Sequence, residues 1–164
     1  MAKVQELNAF SRDEFTRALA PVFEHSPWVA ERTADKRPFA SRGELHAALC
    51  ETVMKASNDE KLSLIRAHPD LVGRDLLTPE SQSEQARAGL TDLSPNEIER
   101  FREYNARYKE RFGFPFVICA RRNKKKAILD AFPVRLQNSI EQEIETALRE
   151  IFKIAELRLR DSIE

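Results

Sequence analysis

Apolar residues recur along this chain three and four positions apart, and a serine with a glutamate three residues later stands before several of these runs. Such a pair supplies a hydroxyl and a carboxylate to the unpaired amides of a helix N-terminus, so it predicts where helices begin. Ser11-x-x-Glu14, flanked by Phe10 and Phe15 as a hydrophobic staple, predicts a first helix from about Arg12 that Pro21 interrupts. Ser26-Pro27-Trp28 predicts a second N-cap with proline in the first helical position. Ser41-x-x-Glu44 precedes an apolar face of Leu45, Leu49, Val53 and Met54, and Ser57-x-x-Glu60 opens a helix carrying Leu62, Leu64 and Ile65. That helix has to end by His68, because the residue before a proline is pushed out of helical geometry.

Further along, Thr78-Pro79 starts a short helix closed by Gly89, and Ser94-Pro95-x-Glu97 starts a longer one with a stripe at Ile98, Phe101, Asn105, Tyr108 and Phe112 before Gly113. The one strand-like stretch, Phe114 to Ala120, is too isolated to build a sheet. A helix over about 123–131, a break at Phe132-Pro133 and a long helix from Ser139 complete the pattern. With 4 glycines in 164 residues, no repeat and no low-complexity tract, the fold class predicted is all-α, one compact multi-helix domain over 1–164 without a linker.

Composition narrows the setting. Lys and Arg number 27 against 27 Asp and Glu, so no net field recruits nucleic acid or an anionic membrane, and an anion has to be caught locally. Cys50 and Cys119 lack CxxC spacing and suit free buried thiols in a reducing, cytoplasmic compartment. No apolar run approaches a membrane span. His25, His46 and His68 lie far apart without metal-ligand spacing, so no metal site is expected. The basic run Arg121-Arg122-Asn123-Lys124-Lys125-Lys126 has no interleaved aromatics and reads as a solvated helix start with some capacity to steer an anion.

Three places could carry chemistry. His68-Pro69 sets an imidazole at a helix C-terminus, where it can donate a proton or simply cap the last carbonyls. Ser81, Glu84, Gln85 and Ala88 share one helix face, fit either for a compact polar ligand or for water. On the terminal helix Ile140, Ile144, Ala147, Ile151 and Ile154 form a stripe, and Arg158 lies 18 positions after Ile140, about five turns at roughly 3.6 residues each. Arg158 is therefore core-facing and Arg160 solvated. A buried guanidinium requires a partner, and a structural carboxylate and a substrate carboxylate fit it equally well.

These residues, taken in order, resemble a known family. Phe23-Glu24-His25-Ser26-Pro27-Trp28, Arg37-Pro38-Phe39, His68-Pro69-x-Leu71, Ser81-x-x-Glu84-Gln85-x-x-Ala88-Gly89-Leu90, Asn105-x-x-Tyr108, Phe112-Gly113-Phe114-Pro115-Phe116 and Ile154-Ala155-x-x-Arg158-Leu159 are similar to the 2-oxo-4-hydroxy-4-carboxy-5-ureidoimidazoline (OHCU) decarboxylase family of uric acid degradation. The resemblance spans essentially the whole chain. It implies an all-helical homodimeric enzyme that converts OHCU, its small-molecule substrate, to (S)-allantoin without a cofactor. It places the proton donor on His68, substrate contacts on Pro69, Ser81 and Gln85, and backbone amides for the substrate within Phe116, Val117, Ile118, Cys119 and Ala120; the residues themselves suggest Glu84 as the proton-sharing or ureido-orienting partner of His68. It gives the substrate-binding arginine as Arg158, and the segment between His68 and Ser81 is short for a lid. The competing expectation is a non-enzymatic helical binding or scaffold module, since fold alone does not fix function.

Overall fold

The computed structural model describes residues 1–73 and 76–164; Arg74 and Asp75, in the segment expected to be short for a lid, lie outside it. Among the described residues the secondary structure is helical, with one isolated parallel bridge between Ala2 and Ile163. The helices are α1 Val4–Ala9, α2 Arg12–Leu19, α3 Trp28–Thr33, α4 Arg42–Met54, α5 Asn58–Arg66, α6 Pro79–Arg87, α7 Pro95–Phe112, α8 Lys125–Leu136 and α9 Ile140–Ser162. None is long and apolar enough to cross a membrane among the described residues.

The serine boxes do the work expected of them. Ser11 with Glu14, Ser57 with Glu60 and Ser94 with Glu97 each form the reciprocal pair at the starts of α2, α5 and α7. Ser41 caps Glu44 N–H, while Glu44 reaches one residue further back to the Ala40 amide. Ser139 exchanges the same two bonds with Gln142 ahead of α9. Each cap contributes about 1 kcal/mol. Gly113 ends α7 at φ 78°, a left-handed conformation that costs glycine nothing.

Four local expectations are corrected. A short helix, α1, precedes the first predicted one. Ser26 does not cap α3: its hydroxyl donates to the Glu24 carbonyl, and Pro27 stands at the N-cap. Met54 is 50% exposed and falls off the face made by Leu45, Leu49 and Val53. Pro133 does not break the chain, since α8 runs through it to Leu136. An internal proline forfeits a helical hydrogen bond, and here the packing on either side outweighs that loss: Phe132 is fully buried and Arg135 is anchored in the core. Among the described residues the stretch Phe114–Cys119 is extended but pairs with no strand.

Two compact units can be distinguished. One comprises 1–67 and 152–164; the other is the continuous stretch 68–151, and α9 contributes to both. In the first unit α2 packs on α3 and α3 on α4. The chain ends are tied by Ala2 N–H to the Ser162 carbonyl at 3.3 Å and Glu164 N–H to the Ala2 carbonyl at 2.8 Å.

In the second unit an aromatic core surrounds a buried ionic cluster. Glu143, at 0% exposure, accepts from the Tyr108 hydroxyl, from Arg135 Nε at 2.8 Å and from Asn138 Nδ2 at 2.8 Å. Burial pushes the Tyr108 phenol up, with the Arg135 charge opposing it. Arg135 also donates to the Val117 carbonyl at 2.6 Å and lies 4.2 Å from the centre of the Phe116 ring. This cluster joins α7, α8, the first turn of α9 and the extended stretch.

Glu143→Ala should leave Arg135 buried without its carboxylate and lower unfolding free energy by about 3–5 kcal/mol. Arg160 pairs with Glu156 at the surface, so Arg160→Ala should change stability by no more than about 0.5 kcal/mol. Urea denaturation of the two variants measures the contrast.

Candidate functional site

The strap that begins at His68 is fixed from two sides. After α5 ends at Arg66, His68 is buried and Pro69 turns the chain away. Gln85 on α6 then grips the following backbone: its Oε1 accepts from Val72 N–H at 3.2 Å and its Nε2 donates to the Asp70 carbonyl at 3.4 Å. From α7, Asn105 Nδ2 donates to the Leu71 carbonyl at 2.7 Å and Lys109 pairs with Asp70 at 2.7 Å. The polar position in the α7 stripe thus serves the strap backbone. Val72 is held at φ 56°, a strained place for a β-branched residue that persists because these bonds enforce it.

On α6, Ser81, Glu84, Gln85 and Ala88 are all buried, so this face is not the solvated one that composition alone allows. The helix starts where Thr78 accepts from Ser81 N–H, and it packs against the short 3-10 turn Ala120–Arg122. That turn closes the extended stretch, three of whose backbone polar groups have partners on neighbouring elements or in the turn itself. The Val117 carbonyl accepts from Arg135, Cys119 N–H donates to Glu150 Oε1 at 3.0 Å, and the Cys119 carbonyl accepts from Asn123 Nδ2 at 2.9 Å and Arg122 N–H at 3.1 Å. The Phe116 ring stacks on Phe132 at 3.9 Å and is 1% exposed, so it belongs to the core.

Burial pushes the Cys119 thiol up; the Arg122 amide offsets part of this and the Glu150 and Glu84 carboxylates add to it. Two buried acids therefore act on the same end of this stretch. Glu150 was not among the residues the sequence singled out. Its signal was available: it lies four residues before Ile154 and eight before Arg158, on the line that faces the core.

The second unit thus ties the His68 strap to α6 through Gln85, and α6 to the turn after Cys119 through packing. Arg158 belongs to the first unit. There it is 5% exposed, as the stripe predicted, and donates to Glu24 Oε1 at 3.2 Å and to the Pro21 carbonyl at 2.9 Å. A structural carboxylate is therefore among its partners. In the basic run, Lys124 donates to the Arg87 carbonyl and Lys125 pairs with Glu97 at 3.2 Å. These lysines are thus engaged by the protein itself.

Comparison with known proteins covers the whole of this arrangement. The family model for OHCU decarboxylase matches residues 8–160. The 2-oxo-4-hydroxy-4-carboxy-5-ureidoimidazoline decarboxylase of Haloferax volcanii is 44% identical over 158 residues, covering 96% of this chain and 94% of its own. The protein of the same name from Amia calva is 43% identical, covering 98% and 94%. A crystal structure of OHCU decarboxylase in the presence of (S)-allantoin superposes with a TM-score of 0.71 at 28% identity over 91% of this chain and 96% of that one. A crystal structure of (S)-allantoin synthase gives a TM-score of 0.83 at 32% identity; this chain spans 54% of its length.

Both thiols are held above the ordinary thiol range, Cys50 to about 12 by burial and the nearby Glu156 charge. A raised thiol pKa keeps the proton on sulfur at pH 8 in the folded protein, whereas the unfolded chain titrates near ~8.5. Reaction with a disulfide reagent at pH 8 should be slow for the native protein and fast in denaturant. Stability from the Cys50 proton should be full below the unfolded value and decline as pH rises from there toward 12.

Proposed function

This chain belongs to the OHCU decarboxylase family, and from that premise we propose that it removes carbon dioxide from OHCU to give (S)-allantoin in urate degradation, with His68 delivering the proton. The observation that carries the assignment of His68 is its buried place at the head of a strap that Gln85 clamps to the buried polar face of α6. A proton donor has to be held within hydrogen-bond reach of one face of its target, and that clamp supplies the rigidity.

The reaction asks little else of the protein. Loss of carbon dioxide from C4 leaves an electron pair that the adjacent C5=N imine of the substrate accepts, so the electron sink is part of the molecule being cleaved. The imine nitrogen that receives the pair takes a proton from solvent, the C4 hydroxyl gives up its proton as that carbon becomes a carbonyl, and C5 takes a proton from one side. Only that last transfer sets the handedness of the product. Glu84 is the partner of His68 that shares its proton or orients the ureido group, and Ser81, Gln85 and Pro69 contact the ureido and ring groups. Of the five residues Phe116 to Ala120, the backbone of Ile118 and Ala120 suits substrate best, because the Cys119 amide is taken by Glu150 and the Phe116 ring by the core.

Arg158 is proposed to bind substrate on the strength of the family resemblance, alongside its bond to Glu24. The active species is proposed to be a cytoplasmic homodimer, which sedimentation at assay concentrations checks directly. The pair of unpaired thiols favours a reducing compartment.

OHCU can be generated in place from urate with a urate oxidase and a hydroxyisourate hydrolase, and formation of (S)-allantoin followed by circular dichroism. The wild-type protein should give an optical signal faster than the spontaneous racemic decay; no acceleration over buffer would return the chain to the class of helical binding modules. His68→Asn should slow stereoselective turnover by about a hundredfold to ten-thousandfold while its thermal unfolding stays cooperative. Arg158→Ala should depress both turnover and stability, and Arg160→Ala neither; equal effects of the two would remove Arg158 from the proposal.

A further inference from the structure

Building on the decarboxylase assignment, we infer that Glu150 is a positioning residue: its carboxylate fixes the register of the 117–120 backbone and so aims the amides of Ile118 and Ala120. Glu150 is buried on α9, and its Oε1 accepts the Cys119 amide at 3.0 Å. Cys119 is extended, at φ −71° and ψ 94°. In extended backbone successive N–H groups point to opposite sides. A carboxylate that captures the Cys119 amide therefore turns the amides before and after it the other way. Among the described residues neither the Ile118 nor the Ala120 amide has a hydrogen-bond partner, although both residues are buried.

The neighbouring bonds support the same division. The Val117 carbonyl is pinned by Arg135 and the Cys119 carbonyl by Asn123 and the Arg122 amide. With the amide of Cys119 held by Glu150, the backbone on either side of Ile118 is fixed, and a register shift of one residue would expose the wrong amides. Buried donors left unpaired are costly in a resting protein and useful where a ligand oxygen will sit.

Position and charge make different predictions for Glu150. Glutamine keeps an acceptor at the same reach without the charge; aspartate keeps the charge but withdraws it by one methylene; leucine removes the acceptor at similar volume. Positioning requires that Glu150→Gln retain turnover within about threefold, while Glu150→Asp and Glu150→Leu lose about a hundredfold in kcat/KM, the cost of displacing a site by about 1 Å. Loss in Glu150→Gln as deep as in Glu150→Leu would assign the charge instead, and wild-type turnover in all three would dismiss the inference.

A second readout needs no substrate. In amide hydrogen exchange the Cys119 proton should be protected in wild type and Glu150→Gln and should exchange about tenfold faster or more in Glu150→Asp, as expected for losing a hydrogen bond to a buried acceptor. Unchanged protection in Glu150→Asp overturns the inference even if the wild-type protein proves inactive on OHCU. Failure of wild-type turnover with the exchange pattern intact would count against the reaction and leave the role of Glu150 in the backbone standing.

Discussion

A carboxylate with no exposure to water has to be answered completely, and the second unit of this protein is organised by the answer given to Glu143. Its partners come from α7, α8 and the turn between α8 and α9, and the arginine among them extends to the Val117 carbonyl and the Phe116 ring. An isolated buried ion pair is weak support for stability, because desolvation offsets most of the attraction. A fully hydrogen-bonded cluster is different in what it specifies. It admits one arrangement of three helices, and that arrangement sets the extended stretch that leads into the 3-10 turn on which α6 packs.

The candidate site inherits its precision from this frame. Gln85 has two duties that a ligand-binding glutamine alone would not have, because both ends of its amide are committed to the strap after His68. The side chain that resemblance assigns to substrate is thus also the clamp on the proposed proton donor. Reading a loss of activity at Gln85 as a lost substrate contact would therefore confuse two effects, since the imidazole would be released as well. The same dual use recurs at Cys119, where burial raises the thiol and Glu150, which holds the amide, adds to that rise together with Glu84.

Much of this was legible from local chemistry. Serine boxes, the proline after His68 and the glycine at the end of α7 act within a few residues of themselves, so the sequence around them was enough. Arg158 and Asn105 could be placed in the core by counting turns. Residues whose role depends on distant partners were less accessible. Pro133 carries a strong local signal for a break, overridden by the burial of Phe132 and Arg135, which no window around the proline reveals. Glu143 and Glu150 were passed over because a stripe traced through apolar residues omits a carboxylate on the same line, and only the partners make such a residue acceptable there. That the Phe116 ring is held in the core by Phe132 and Arg135 was likewise invisible in the residues around it.

The discontinuity of the first unit has a consequence for how the chain is made. Its ends meet, Ala2 against Ser162 and Glu164, so residues 1–67 cannot complete their packing until the last turns of α9 have been synthesised. The stretch 68–151, with the Glu143 cluster, His68 and Glu150, is contiguous and is available to fold as soon as it emerges. Contacts that close such a long interval carry the largest loop entropy and form late. Assembly is therefore ordered, with the unit that contains the proposed proton donor able to form first and the joining of the two termini coming last.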